Sequence, residues 1–286
     1  MFELIFKQNG DAKNLQKFLE KESCDTMLHE TLFQNQNHYI VSINKQENKQ
    51  VILDGLFRFI MNIKRLEWAA YILSEYFLFK DPHEQEQILM ITGEMLTGER
   101  DELTCLLNEW DETAFLMDNL EPLLESEEPV HFDSFVKFRL KALYERMILY
   151  VEKAIDEYKL EQDYQMFVQM LRDYLASKND QQQTIHLYFS SCDLLFFNAE
   201  LREMKRNELF SIVDKRLLTN HPVYVDSYTI APLLSMAPKM INVYCAEPEL
   251  KLIRTIQNIF EERVRILPLS AFPGTVQTDI RDAANE

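Results

Sequence analysis

Apolar and polar residues alternate from Phe2 to Lys7, with Phe2, Leu4 and Phe6 on one side, which predicts a short strand with one buried face. Asn9-Gly10 supplies a turn, and Leu15, Phe18 and Leu19 then mark an apolar stripe on a helix from about Asp11 to Glu22. After a polar loop, the β-rich run His38 to Ile43 predicts a second strand, so residues 1–48 read as a small β-α-β element.

From Gln50 the apolar spacing lengthens to three and four residues. Ile52, Leu56, Phe59, Ile60 and Ile63 share one helical face, whereas Trp68, Tyr71, Ile72, Tyr76 and Phe77 share another, which predicts two helices. A third starts at Asp81-Pro82-His83-Glu84, where Asp81 can accept from a free backbone N–H, Pro82 loses nothing at the first helical position and Glu84 completes a capping box. It should run to Gly98. Between Glu99 and Glu128 eleven acids face one base, Arg100, yet Leu103, Leu106, Leu107, Trp110, Phe115, Leu116 and Leu120 predict amphipathic helix with an acidic outer face. The acidic stretch Glu125 to Pro129 beyond it is a candidate linker.

From Asp133 to Ala176, Val136, Leu140, Leu143, Met147, Tyr150 and Ala154 recur at steps of four and three, and Tyr164, Val168, Leu171 and Leu175 keep the register. One long helix or two nearly collinear ones, capped by Asp133 or Ser134, is expected. Beyond Ser177 to Gln183, strands at Ile185 to Phe189 and Leu194 to Phe197 precede helices at about Leu201 to Leu218 and Tyr228 to Ala237. A strand at Ile241 to Cys245, a helix at Leu250 to Glu262 and a strand at Val264 to Leu267 complete a β-β-α-α-β-α-β order, whose last two strands should be parallel because a helix crosses between them. The expected fold class is therefore α+β and predominantly α-helical. Its parts are the β-α-β element (1–48), an acidic helical region (49–128), a long central helix or helix pair (129–180), a small C-terminal α/β domain (181–273) and a disordered polar tail (274–286).

Composition narrows the function classes. Apolar residues make up 47% of the 286, which excludes wholesale disorder, because chain entropy can be offset by burial. With 47 acids against 30 bases the formal charge is -17, so nucleic acid and anionic membrane are not expected partners; a compact patch of Lys205, Arg206, Lys215 and Arg216 would be needed to reverse that. Cys24, Cys105, Cys192 and Cys245 lie far apart and fit reduced thiols in the cytoplasm. The N-terminal run lacks the basic start and apolar length of a signal peptide, and no uncharged run approaches the ~20 residues of a membrane span.

The chemistry sought in the sequence is sparse. Five scattered glycines write neither a phosphate-binding loop nor a dinucleotide fingerprint, and the six histidines form no zinc or di-iron spacing. His83-Glu84-Gln85-Glu86 reads as a helix start, and Ser191-Cys192 as a turn with a packed thiol. No catalytic, metal or cofactor-binding residue is assigned, and no cofactor is expected. Three residues are retained as interaction candidates. Glu157 and Glu161 lie four apart on one helical face and interrupt an apolar stripe, where paired carboxylates can share a proton, bind a cation or meet a basic partner. Solvation, or pairing with Lys153, Lys159 or Arg146, is the ordinary alternative. Arg139, on the opposite face of the helix start from Lys141, is the third, with solvation or pairing with the preceding acidic segment as its ordinary alternative.

Phe138-Arg139-Leu140-Lys141 and the run Val151 to Tyr164 resemble the YtxC-like proteins, described as sporulation proteins of endospore-forming Firmicutes. Glu67-Trp68, Phe77 to Leu89, Leu233 to Lys239 and Thr255 to Val264 resemble further sections of the same family in the same order. The resemblance implies a cytoplasmic, sporulation-associated protein and places acids at positions 157 and 161, but it brings no reaction, cofactor or site. A non-enzymatic interaction or regulatory protein with a protein partner is thus expected. The alternative is an enzyme or small-ligand binder using the C-terminal strand ends, near Asp226 to Thr229 or Glu247.

Overall fold

A computed structural model describes residues 1–22, 24–33, 36–44, 48–105, 107, 110–178, 181–189, 194–214 and 228–274. The chain is α+β and predominantly helical, and its contacts gather into two compact units, Met1–Leu160 and Glu161–Glu286.

In the first unit, β1 (Phe2–Phe6) buries Phe2, Leu4 and Phe6, and α1 (Asn9–Lys21) packs Ala12, Leu15 and Leu19 into the same core. The sheet has two strands more than the sequence pattern marks, β2 and β4. Residues read above as a polar loop form β2 (Thr26–Phe33), antiparallel to β3 (Gln36–Ile43), and the sheet order is β2-β3-β1-β4, with β4 (Val130–His131) parallel to β1. Every side chain of β2 is exposed or half-buried, so it carries no apolar alternation to betray it.

The two helices expected after Gln50 are one helical run. The Asn48 side chain caps α2 (Lys49–Phe59) by accepting from the N–H of Gln50; a π-helical turn (Ile60–Lys64) leads into α3 (Arg65–Tyr71), and a second π turn (Ile72–Tyr76) ends it. Each π turn inserts a residue relative to the α-helical repeat and so shifts the buried face. The third helix starts as expected: in α4 (Pro82–Thr97) the Asp81 carboxylate accepts from the N–H groups of His83 and Glu84 at 2.9 and 3.0 Å, and Gly98 closes it at φ +80°, a conformation glycine adopts without strain. The acidic stretch forms the short α5 (Asp101–Thr104) and α6 (Glu112–Leu124), which buries Leu116, Leu120 and Leu123.

The central helix is broken near its start. The chain passes directly from β4 into α7 (Phe132–Phe138), whose N-cap position is His131 with no side-chain cap, so neither Asp133 nor Ser134 plays that part. After Arg139 and the fully buried Leu140, α8 (Lys141–Ser177) runs 37 residues. The boundary between the two units falls within α8.

The second unit takes Phe167, Val168, Leu171 and Leu175 of α8 into a core over a sheet of order β7-β6-β5-β8-β9. Here β5 (Gln181–Phe189), β8 (Pro238–Tyr244) and β9 (Val264–Leu267) are mutually parallel, while β6 (Leu194–Phe197) and β7 (Glu203–Met204) extend the sheet antiparallel. The helices are α9 (Arg206–Ile212), the wholly buried α10 (Ile230–Met236) and α11 (Lys251–Phe260), which crosses over between the parallel strands β8 and β9 as expected. Ile253, Ile256 and Ile259 of α11 cover Ile185, Leu187, Ile241 and Val243 in this core. The expected helix end at Leu218, Ser191-Cys192 and most of the polar tail lie outside the described residues.

Candidate functional site

A cavity of about 570 Å³ lies in the first unit and is lined by Lys64, Trp68, Phe132, Asp133, Val136, Lys137, Phe138, Lys141 and Tyr144. That volume falls within the ~300–1,000 Å³ of ligand-binding clefts. Its walls are placed by the core. Pairing of β4 with β1 brings Phe132 against Phe6 and Phe59, with ring centroids 5.0 and 5.5 Å apart, and this cluster fixes the start of α7. Trp68 of α3 and Tyr144 of α8 meet edge to face at 5.9 Å and form the opposing aromatic wall. Phe138, 74% exposed, stands at the rim. Leu140, pulled fully into the core, holds the α7–α8 junction beneath it.

Lys64, the last residue of the first π turn, sits at the inner end. Its Nζ donates to both carboxylate oxygens of Asp11 at 3.0 and 2.9 Å and also to Glu67. Burial works against the ammonium charge, but the hydrogen bonds to Glu67 and Asp11 outweigh it and hold Lys64 above its ordinary range. The same burial pushes the Asp11 carboxyl up, and Lys64 offsets this only in part. Lys64 is thus held in place by two carboxylates. Asp133 is occupied by Lys7 at 2.9 Å. Two exposed lysines, Lys137 and Lys141, stand at the rim, and the exposed Arg139 lies between them in the chain. Lys137 lies 5.8 Å from the Phe138 ring centroid, Arg139 is exposed without an ion pair among the described residues, and Lys141 holds a loose exposed contact to Glu145 at 3.5 Å.

The three sequence candidates fall differently. Arg139 is exposed and neighbours the rim residues Phe138 and Lys141 in the chain, but it does not line the cleft. Glu157 is half-buried on Arg100, 3.3 Å away, which also binds Glu94 at 2.7 Å; Lys153 and Arg146 are engaged by Asp156 and Glu112 instead. Glu161 is exposed and begins the second unit. The groove itself is not legible in the sequence, because its lining spans positions 64 to 144 and its chemistry is that of ordinary core aromatics and surface lysines. Among the described residues, no three His, Cys, Asp or Glu side chains gather as a metal site would require, and no helix is long and apolar enough to cross a membrane.

The strand ends of the second unit offer less room. Asp226 lies outside the described residues, Glu247 is exposed, and Thr229 borders a space of about 100 Å³ shared with Arg206, Phe210 and Tyr228, below the size of a ligand cleft. Lys205 and Arg206 are exposed, and Lys215 and Arg216 lie outside the described residues. On the face of this sheet away from the aliphatic core, His186 stacks on Tyr244, with Nδ1 3.1 Å from the phenol oxygen, and Phe272 covers Tyr188, Phe197 and Tyr244. Burial pushes His186 below its ordinary pKa.

Residues 50–265 match the model of the YtxC-like family. The chain belongs to that family. It is 36% identical over 217 residues to the uncharacterized protein YtxC of Bacillus subtilis (strain 168), covering 76% of each chain. No solved structure matches significantly. The YtxC-like region holds every residue that lines the groove, whereas β1, α1, β2 and β3 precede it.

Proposed function

We propose that this YtxC-like protein is a non-enzymatic interaction protein of the cytoplasm, associated with sporulation, and that it engages a protein partner through the groove between α3, α7 and α8. One observation carries the reading: an accessible cleft of about 570 Å³ with aromatic walls and a projecting, 74% exposed Phe138, a side chain that surface burial alone would not favour. The carboxylates of Asp11 and Glu67, which fix Lys64 at the inner end, give the groove a rigid floor in support of this reading. The setting in sporulation rests on the family resemblance.

Crosslinked affinity capture from growing and sporulating cells tests this, with the full chain compared with Phe138→Ala and Val136→Asp. A stoichiometric partner held by the wild type in sporulating cells and lost by both variants is expected. Partners retained equally by both variants would move the interaction elsewhere on the molecule.

A further inference from the structure

The occupant of the groove can be narrowed by charge, on the strength of the interaction reading above. On a chain of net charge -17, an arbitrary surface is acidic, and a partner selected by that surface at large would be basic. The groove departs from this. Its open edge presents Lys137 and Lys141, with the exposed Arg139 between them in the chain, flanking the exposed ring of Phe138 and the buried side chain of Leu140. Of the acids nearest to it, Asp133 is bound by Lys7, whereas Asp11 and Glu67 share the single Lys64 at the inner end, which leaves one negative charge there and none unmet at the open edge. Glu145 reaches Lys141 at 3.5 Å, with both side chains largely in solvent, which is the weakest class of ion pair. Lys137 has the Phe138 ring as its contact and Arg139 has no carboxylate partner among the described residues. The uncompensated charge at the open edge is thus positive and comes from Lys137 and the neighbouring Arg139.

The cleft behind this edge is apolar. Trp68, Tyr144, Phe132 and Val136 enclose a space large enough for one or two aromatic or branched aliphatic side chains, and Trp68 and Tyr144 present ring edges and faces of the kind that fix an anchor residue. An apolar slot beside a cationic edge matches a chain segment with an apolar anchor and flanking carboxylates, in which electrostatic complementarity selects the partner and speeds its encounter while the anchor supplies affinity.

We infer that the groove binds an acidic peptide segment of a partner protein, with an aromatic or aliphatic anchor seated between Trp68, Phe138 and Tyr144 and flanking Asp or Glu residues on Lys137, Arg139 and Lys141. The segment's acids set the specificity. Anchor burial sets the lifetime of the complex.

A displayed library of random 12-residue peptides, selected on the full-length protein, tests this without presupposing a partner. Enrichment of peptides with an apolar anchor among Asp and Glu is expected. Their affinity should fall about tenfold or more in the triple variant Lys137→Glu, Arg139→Glu, Lys141→Glu, and also between 50 and 300 mM salt, as screened contacts must. All three side chains are solvent-facing, so the variant retains the fold, which an unchanged thermal transition verifies. The quenching or shift of Trp68 fluorescence in a Trp110→Phe background reports whether the anchor enters the groove. Enriched peptides that are neutral or basic, or acidic ones that bind the triple variant equally, overturn the inference. Stabilisation by decanoate with no peptide enriched also overturns it and assigns the cleft to a small amphiphile. The interaction reading stands or falls separately: a partner captured through Phe138 whose binding ignores the charge reversal keeps the groove and removes only the acidic segment.

Discussion

Replacing Glu112 by Gln should destabilise the first unit by about 3–5 kcal/mol, the range for leaving a buried charge without its partner. Glu112 opens α6 and is nearly enclosed. Its Oε2 lies 2.9 Å from an Arg65 nitrogen, its Oε1 lies 3.6 Å from Arg146 Nε, and the Tyr150 hydroxyl donates to Oε1 at 3.0 Å. One carboxylate therefore serves two guanidiniums whose side chains are 6% and 12% exposed, and the Nε of each has no hydrogen-bond partner. The site already holds more positive than negative charge. Glutamine keeps the shape and the acceptor for Tyr150 but strands both arginines, and at ~2–4 °C per kcal/mol for a unit of this size the transition should drop by roughly 6–20 °C. Both tryptophans, Trp68 and Trp110, belong to the first unit, so tryptophan fluorescence during urea or thermal unfolding reads this unit alone. The triple replacement Arg65→Met, Glu112→Leu, Arg146→Met should recover most of the loss, because well-packed apolar side chains often match a buried ionic cluster. A Glu112→Gln loss under about 1 kcal/mol would refute the reasoning, since that is the value of an exposed pair and would mean that water reaches the cluster.

Three further outcomes are expected. Gly55→Ala should cost about 1 kcal/mol in urea unfolding despite alanine's better helix propensity, because a Cβ at position 55 would meet Cδ2 of the fully buried Leu19 at 2.6 Å and its Cγ at 3.3 Å; a gain in stability would show that Leu19 can move aside. The second unit should lose stability as pH falls below about 6.5: His186 has a depressed folded pKa, so the unfolded chain takes up the proton first, and stability present above 6.5 is lost as pH descends through the folded value. Hydrogen exchange of the β5 and β8 amides between pH 5 and 8 checks this, and the slope should flatten in His186→Gln. Phe138→Ala should leave the thermal transition within about 1 °C, because most of the ring is already in water, while partner binding is lost.

Much of the fold is written in local spacing and little of the site is. The strand Phe2–Phe6, the Asp81-Pro82 helix start and the β8-α11-β9 crossover each arise from a pattern a few residues long, which backbone geometry converts directly into structure. Strand β2 is invisible to that reading because neither face is buried, and its place comes from hydrogen bonding to β3 alone. The break at Arg139-Leu140 carries no glycine or proline to announce it. Glu157 has no evident match in the sequence because helical spacing reveals only partners within a turn or two, whereas Arg100 arrives from 57 residues away. The groove has the same origin: Lys64, Trp68, Val136, Phe138 and Tyr144 are each ordinary where they stand in the chain.

The change of face between Ile52-Leu56-Phe59-Ile60 and Trp68-Ile72 links these readings. In a regular helix, a residue is advanced by 100°, so an uninterrupted run could not bury both sets against one core, and separate helices are the simplest explanation from sequence. A π turn at Ile60–Lys64 does the same work without a break, since the extra residue rotates the downstream helix by about one position. Its effect is concentrated at Lys64 and Arg65. These adjacent cations are both buried, yet one binds Asp11 and Glu67 at the inner end of the groove and the other binds Glu112 in the ionic cluster of the core. The π turn also sets the phase that carries Trp68, one helical turn on, to the wall facing Tyr144. Groove and ionic cluster thus share one helical irregularity, and α8 supplies the opposite side of both through Tyr144 and Arg146, two residues apart. A change that restores regular α-helix at residues 60–64 should therefore disturb both together, whereas exposed rim substitutions such as those at Lys137 and Phe138 act on the groove alone.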